Sequence, residues 1–310
     1  MLGKNKMKRL IEQKYLFLLL LPALIWVIFI CYAPMTGLYM AFINYTPRGE
    51  GYFKDMINSK FVGFDWFRYF FETDFSKIMR NTVITSVFTI IFSFPLPIIL
   101  AISLQEIKNT KLKSFVQTVS YLPYFISWVI ASNIFISFLS TDGVINDIFV
   151  GLGVISDPIP FFQRGPYFWV IIAIANTWKN FGYSAIIYLA SIANIDKELY
   201  EAAWVEGANR WQRIKYITLP GLKSVTLLML IIAVGNVLNT GFEQHLLMGN
   251  DSILDYSDVL DTYSYRYGLK NGMYSYGTAV GLFKSVFSFV LVIIANRITK
   301  YFSDDGEALF

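Results

Sequence analysis

Asn176, Trp178, Lys179, Asn180 and Tyr183 sit within one otherwise apolar stretch, and Asn236 and Asn239 close another, with Phe242 and Gln244 just beyond. Amides donate and accept hydrogen bonds, and aromatic rings offer flat apolar faces, so this set can hold a polar molecule without covalent chemistry. Polar residues at membrane depth are functional candidates by default. Asn176, Asn180 and Tyr183 recur at helical spacing, which puts them on one face. The same amides also serve as hydrogen-bonding glue between helices, and the same rings as interfacial belts, so a structural role stays open for each of them. Bond-breaking chemistry has far less to draw on. One cysteine, Cys31, leaves no intramolecular disulfide and no cysteine-based metal site, and one histidine, His245, gives metal binding little support. No phosphate loop of the form G-x-x-x-x-G-K-[ST] occurs, so ATP hydrolysis is not expected of this chain.

The elements that must position these side chains are membrane helices. Of the 310 residues, 55% are hydrophobic and only 15% charged, and 28 are phenylalanine. Mean hydropathy is +0.49. A water-facing surface cannot absorb that composition, so lipid is the solvent for much of the chain. A bilayer core of ~30 Å takes about 20 helical residues. Six windows qualify: 15–34, 81–105, 114–141, 167–195, 220–239 and 276–296, with Lys179 inside the fourth and Lys284 inside the sixth. Pro95 and Pro97 predict a kink in the second, tolerated where neighbours satisfy the freed carbonyls. The first window is too long for a secretory signal, and Ile28, Phe29 and Ile30 before Cys31 are too bulky for a lipoprotein cleavage box. Lys284 is expected to snorkel or to pair with an acid.

Positive charge orients the bundle. With both termini inside, the inner segments hold fifteen lysines and arginines, beginning with Lys4, Lys6, Lys8, Arg9 and Lys14, against nine in the outer ones. Because such residues accumulate on the cytoplasmic side, both ends are expected there, and the net charge of +4 calls for no nucleic acid. The expected organisation is a basic cytoplasmic segment, 1–14, and a single transmembrane domain, 15–310. The outer loop 48–80 is rich in aromatic residues, among them Tyr52, Phe53, Phe61, Phe64, Trp66 and Phe71, and is expected to form an outer cap or an interfacial anchor.

The inner loop 196–220 carries the most specific pattern. Asp196 can cap a helix whose first turn holds Glu198, and Gly207 suits the left-handed residue that stops it. A second short helix is expected from 208 to about 216, with Pro220 in the first turn of the fifth span. Within this frame stand Glu201, Ala202, Ala203, Gly207, Ile217, Leu219 and Pro220. Their spacing resembles the EAA loop of importer-type ATP-binding cassette (ABC) permeases. The likeness runs along the whole chain, including the Leu-Pro-Ala-Leu run in the first span and the Tyr-Ala-Pro that ends it, and is nearest to oligosaccharide and polysaccharide-fragment permeases similar to the maltose type.

The resemblance implies an all-α, MetI-like type I bundle in a bacterial plasma membrane, importing a carbohydrate by alternating access. It implies that residues 201–207 form a coupling helix seated on a separate ATPase dimer, where ATP and Mg are used, this chain binding no cofactor. It further implies a second homologous permease chain, an extracellular substrate-binding protein, and a sugar path along Asn176, Trp178, Asn180, Tyr183, Asn236, Asn239 and Gln244. Small alanines and a glycine suit a helix pressed against a partner, while Arg210, Arg213 and Lys215 can meet either the ATPase or anionic lipid. Rival readings are a non-sugar importer, an ion-coupled transporter and a membrane enzyme. No Asp or Glu falls inside any span and no inverted repeat is visible, which leaves the latter two with little to work from.

Overall fold

The computed structural model describes residues 13–302, so all but the end of the basic segment 1–14 lies outside the described residues. The chain is almost entirely helical. Helix α1 (Lys14–Phe42) passes from α to π geometry at Val27 and to 3-10 geometry at Ala33, running eight residues past the expected end of the first span. Among its residues only Ala41 is buried by the rest of the chain.

Between α1 and the next long helix, a short antiparallel pair, β1 (Ile43–Asn44) with β2 (Lys60–Phe61), sets Ile43 opposite Phe61 and Asn44 opposite Lys60. Helix α2 (Phe75–Ser93) starts six residues before the expected boundary at 81 and meets α3 (Pro95–Glu106) at Phe94, the two forming one 32-residue rod. Pro95 opens α3 in its first turn, where a missing N–H has no intrahelical partner to lose, so the two prolines do not break the rod.

The expected third span, 114–141, is not one straight helix. It is a bent pair, Thr110–Phe125 and Trp128–Phe138, meeting at 101°. Within the first arm lies α4 (Thr110–Tyr121), capped by the Asn109 side chain; the second arm, α5 (Trp128–Phe138), is capped by Ser127. The chain tightens to 3-10 geometry over Leu122–Phe125, with Pro123 in its first turn, leaves the helix at Ile126 (φ −77°, ψ 136°), and starts afresh at the Ser127 cap.

Helix α6 (Gly165–Ala193) is the axis of the molecule, packing against α2, α3 and α4. At 29 residues it is about 43 Å long. Phe168, Ile171, Ile172 and Ala175 fill one cluster along it, and Ala185, Tyr188 and Ile192 another with Ala101 and Leu222. The segment after α6 forms α7 (Lys197–Val205). Then Arg210–Gly221 leads at 57° into α8 (Lys223–Gly235), so the fifth span also departs from a straight 220–239. A short α9 (Phe242–Met248), α10 (Leu260–Tyr265) and the long α11 (Tyr274–Phe302) complete the fold, α11 packing on α8 and on the last turns of α1.

Candidate functional site

The geometry of α7 comes from its ends. The Asp196 carboxylate accepts the backbone N–H of Glu198 at 3.0 Å, closing the start of the helix. At the other end Gly207 has φ +78°, and two bonds complete the stop: Ala208 N–H donates to the Ala203 carbonyl at 2.8 Å and Gly207 N–H to that of Trp204 at 3.1 Å. This is the double bond pattern of a Schellman stop. The next turn starts at once, because Asn209 and Gln212 exchange side-chain and backbone bonds in a capping box. The second helix therefore begins at Arg210 rather than at 208, and passes into π geometry over Ile214–Thr218.

No residue of α7 is buried. Glu201 and Ala202 are exposed and Ala203 half-buried, and Trp204 and Trp211, 72% and 80% exposed, flank the bend. Two tryptophans left open beside small residues form an exposed apolar patch at the bend. Their signal in sequence was their presence in an otherwise polar loop. Two contacts hold the segment to the bundle: the Tyr200 hydroxyl lies 2.9 Å from that of Thr218, and Arg210 approaches Glu106 at 3.9 Å. Ile217 is half-buried, while Leu219 and Pro220 are exposed where the chain turns into the next helix.

The polar residues of α6 divide. Asn180 donates to both the backbone and side-chain oxygens of Asn176, at 2.8 and 2.7 Å, and Tyr183 is 43% exposed. Trp178 turns elsewhere, meeting Phe135 edge-on at 5.6 Å and lining an apolar groove with Ile134 and Ile174. At the end of α8, Asn236 and Asn239 are exposed and joined by a 3.0 Å bond. Gln244 is not open in this way: it is buried, its amide donates to the Thr240 carbonyl at 2.9 Å, and it packs over Gly241, where a Cβ would lie 1.6 Å from its nitrogen.

One residue not singled out by sequence joins this region. Tyr124 stacks flat on Tyr183, ring centres 3.9 Å apart and planes within 5°. Pro123 inside an apolar run was the clue to it.

The match that decides the family covers residues 93–305, which fit the family described as "Binding-protein-dependent transport system inner membrane component". The chain is a permease of that family. It is 40% identical to "Protein LplB" of Bacillus subtilis (strain 168) over 98% of this chain and 94% of that one. It is 39% identical, with the same coverage, to the "Polygalacturonan/rhamnogalacturonan transport system permease protein YteP" of the same organism. Among solved structures it matches a chain of a bacterial ABC transporter "involved in the import of the acidic polysaccharide alginate", with TM-score 0.86, 35% identity and coverage of 97% of this chain and 100% of that chain. The MetI-like permease fold is thereby shared.

At the end of this permease opposite α7, a polar network joins α2 to residues 251–277. Asn81 donates to the Asp255 and Asp258 carbonyls at 3.0 and 2.9 Å, and Lys77 lies between Asp74 and Asp255 at 3.3 and 3.1 Å. Tyr263 donates to Asp74 at 2.9 Å and meets the Tyr276 hydroxyl at 2.7 Å. Lys284 pairs with Asp261, the acid partner anticipated for it. In the aromatic loop, Trp66 and Phe70 pack inward while Phe53, Phe61 and Phe64 stay exposed.

Proposed function

We propose that this permease imports a carbohydrate, an oligosaccharide released from an acidic polysaccharide, by alternating access across a bacterial plasma membrane. The observation that carries the reading is α7 with its glycine stop, a bonded and capped helix none of whose residues is fully buried against its own chain. A helix shaped this firmly and left uncovered suits a coupling element seated on a separate ATPase through Glu201, Ala202, Ala203 and Gly207. In the reading, ATP and Mg act on that ATPase dimer, and this chain binds neither. The sugar class is supported by the names of the relatives, which specify polygalacturonan, rhamnogalacturonan and alginate. A second structure of the alginate importer is described "in complex with alginate pentasaccharide-bound periplasmic protein", which supports an extracellular binding protein as partner here too. A second homologous permease chain completes the assembly.

Among the described residues, three helices are long and apolar enough to cross a membrane, and the two bent pairs raise that to five. With α6, long enough though less apolar, the proposed single domain has six spans and both termini in the cytoplasm. In this arrangement Asn176, Asn180, Tyr183, Asn236 and Asn239 contact the sugar, and Trp178 and Gln244 support them from behind. The test is transport of a labelled oligosaccharide panel by the reconstituted assembly, with ATP hydrolysis read alongside. Hydrolysis should rise when binding protein and an acidic oligosaccharide are added together, and Tyr183→Ala and Asn236→Ala should each cut transport at least fivefold. Stimulation by a non-sugar solute alone, or wild-type transport in both variants, overturns the reading.

A further inference from the structure

A 101° bend within a membrane span creates a problem that the rest of the fold has to solve. At the break the Pro123 carbonyl keeps only the Ile126 N–H at 3.2 Å, while those of Tyr124 and Ile126 accept no backbone N–H, and in hydrocarbon no water replaces the lost partners. Helix α6 answers with one side chain. The Lys179 ammonium donates to the carbonyl of Pro123 at 3.3 Å, to that of Tyr124 at 2.8 Å, and to that of Ile126. An ammonium has three protons to give, and the break takes all three. The rings of Tyr124 and Trp128 flank the charge at 5.6 and 5.7 Å.

The neighbouring turn of α6 is shaped for the same guest. A Cβ at Gly182 would stand 1.9 Å from the Ser120 carbonyl, so only glycine lets the first arm lie this close. Tyr183, one turn beyond Lys179, carries the stacked Tyr124. Positions 179, 182 and 183 thus form a socket that receives residues 120–128.

We propose that Lys179 is a positioning residue of the solute path: by gripping the carbonyls at the break in the third span, it holds Tyr124 flat against Tyr183 and so fixes the wall past which the sugar moves. The proposal rests on the reading that Tyr183 lies in that path. A neutral side chain of equal length can fill the space but cannot satisfy three carbonyls. The break then relaxes and the stack is lost, although α7, beyond the far end of α6, makes none of these contacts and is untouched.

The test uses the complete assembly with saturating binding protein and an oligogalacturonide that the wild type transports. Lys179→Met should lower transport at least tenfold while assembly yield and basal ATP hydrolysis stay within twofold. Lys179→Arg, whose donors can still reach the carbonyls, should recover at least a third of the wild-type rate. Tyr183→Leu should reduce transport alone yet add nothing to the Lys179→Met loss, because both act on one stack. Wild-type transport in Lys179→Met, no rescue by arginine, or losses that multiply in the double variant would each overturn the proposal. Should Lys179→Met fail to assemble, Lys179→Gln, neutral with two amide protons, takes its place. If both the Gln and Arg variants also fail to assemble, Lys179 serves folding alone and the proposal falls. Tyr183→Leu at the wild-type rate removes the path reading itself, whereas an impaired Tyr183→Leu beside an unimpaired Lys179→Met removes only the role of the lysine.

Discussion

His245 is 2% exposed on α9, its Nδ1 3.0 Å from the Ser257 carbonyl and its ring edge-on to Phe168 at 5.6 Å. A carbonyl can only accept, so Nδ1 carries the proton and Nε2 is left as a lone pair without a partner. Burial pushes the ring down to about 4, against a smaller opposing effect of the Ser257 bond. Between pH 6.5 and about 4 the unfolded chain therefore binds a proton that the folded chain refuses, and stability falls as pH falls through that window. The full effect is about 3 kcal/mol. Thermal unfolding in detergent should show His245→Asn, which keeps a donor for Ser257, losing less stability than the wild type between pH 7 and pH 4.5. Asp258 works with the opposite sign: burial raises its carboxyl, and the pull of Thr262 and Arg266 only partly reverses this. The difference between variant and wild type isolates the histidine.

At the scale of elements, the α7 stop depends on one backbone angle. Gly207 at φ +78° has nothing within 4 Å of where a Cβ would stand, so an alanine there meets strain but no clash. That strain is about 1–2 kcal/mol. Gly207→Ala should leave the protein folded and in the membrane yet reduce sugar-stimulated ATP hydrolysis severalfold, measured against its own basal rate. This corner was legible in sequence because caps are local: Asp196, Glu198 and Gly207 specify their bonds within a few residues of themselves. The break in the third span was not legible as such. Its apolar window is continuous, and a proline inside a membrane helix is compatible with an unbroken span, as Pro95 and Pro97 demonstrate in α3. What separates the two cases is a lysine some fifty residues away in sequence, a tertiary fact. The burial of Gln244 was not legible for a similar reason, since it depends on the turn at Gly241 folding beneath it.

At the scale of the molecule, the fold divides its labour between two ends. One presents the uncovered α7 bend; the other is bound together by Asn81, Lys77, Tyr263 and Asp74. With the native thiol removed as Cys31→Ser, single cysteines at Ala203 and at Asp142 should label from opposite faces of sealed vesicles with a membrane-impermeant maleimide. Labelling from the same face sinks the six-span arrangement and the inward placement of α7 with it. Size alone did not reveal this division, because hydropathy gives the number of apolar windows and not what each end binds. The grip of Lys179 on the bent span reaches beyond any single experiment, to the history of the sequence. A lineage that straightened the bend would be left with a stranded cation in oil, and one that lost the cation would be left with two bare oxygens, those of Tyr124 and Ile126. The two are heritable only as a pair, so any descendant of this chain found with one should carry the other.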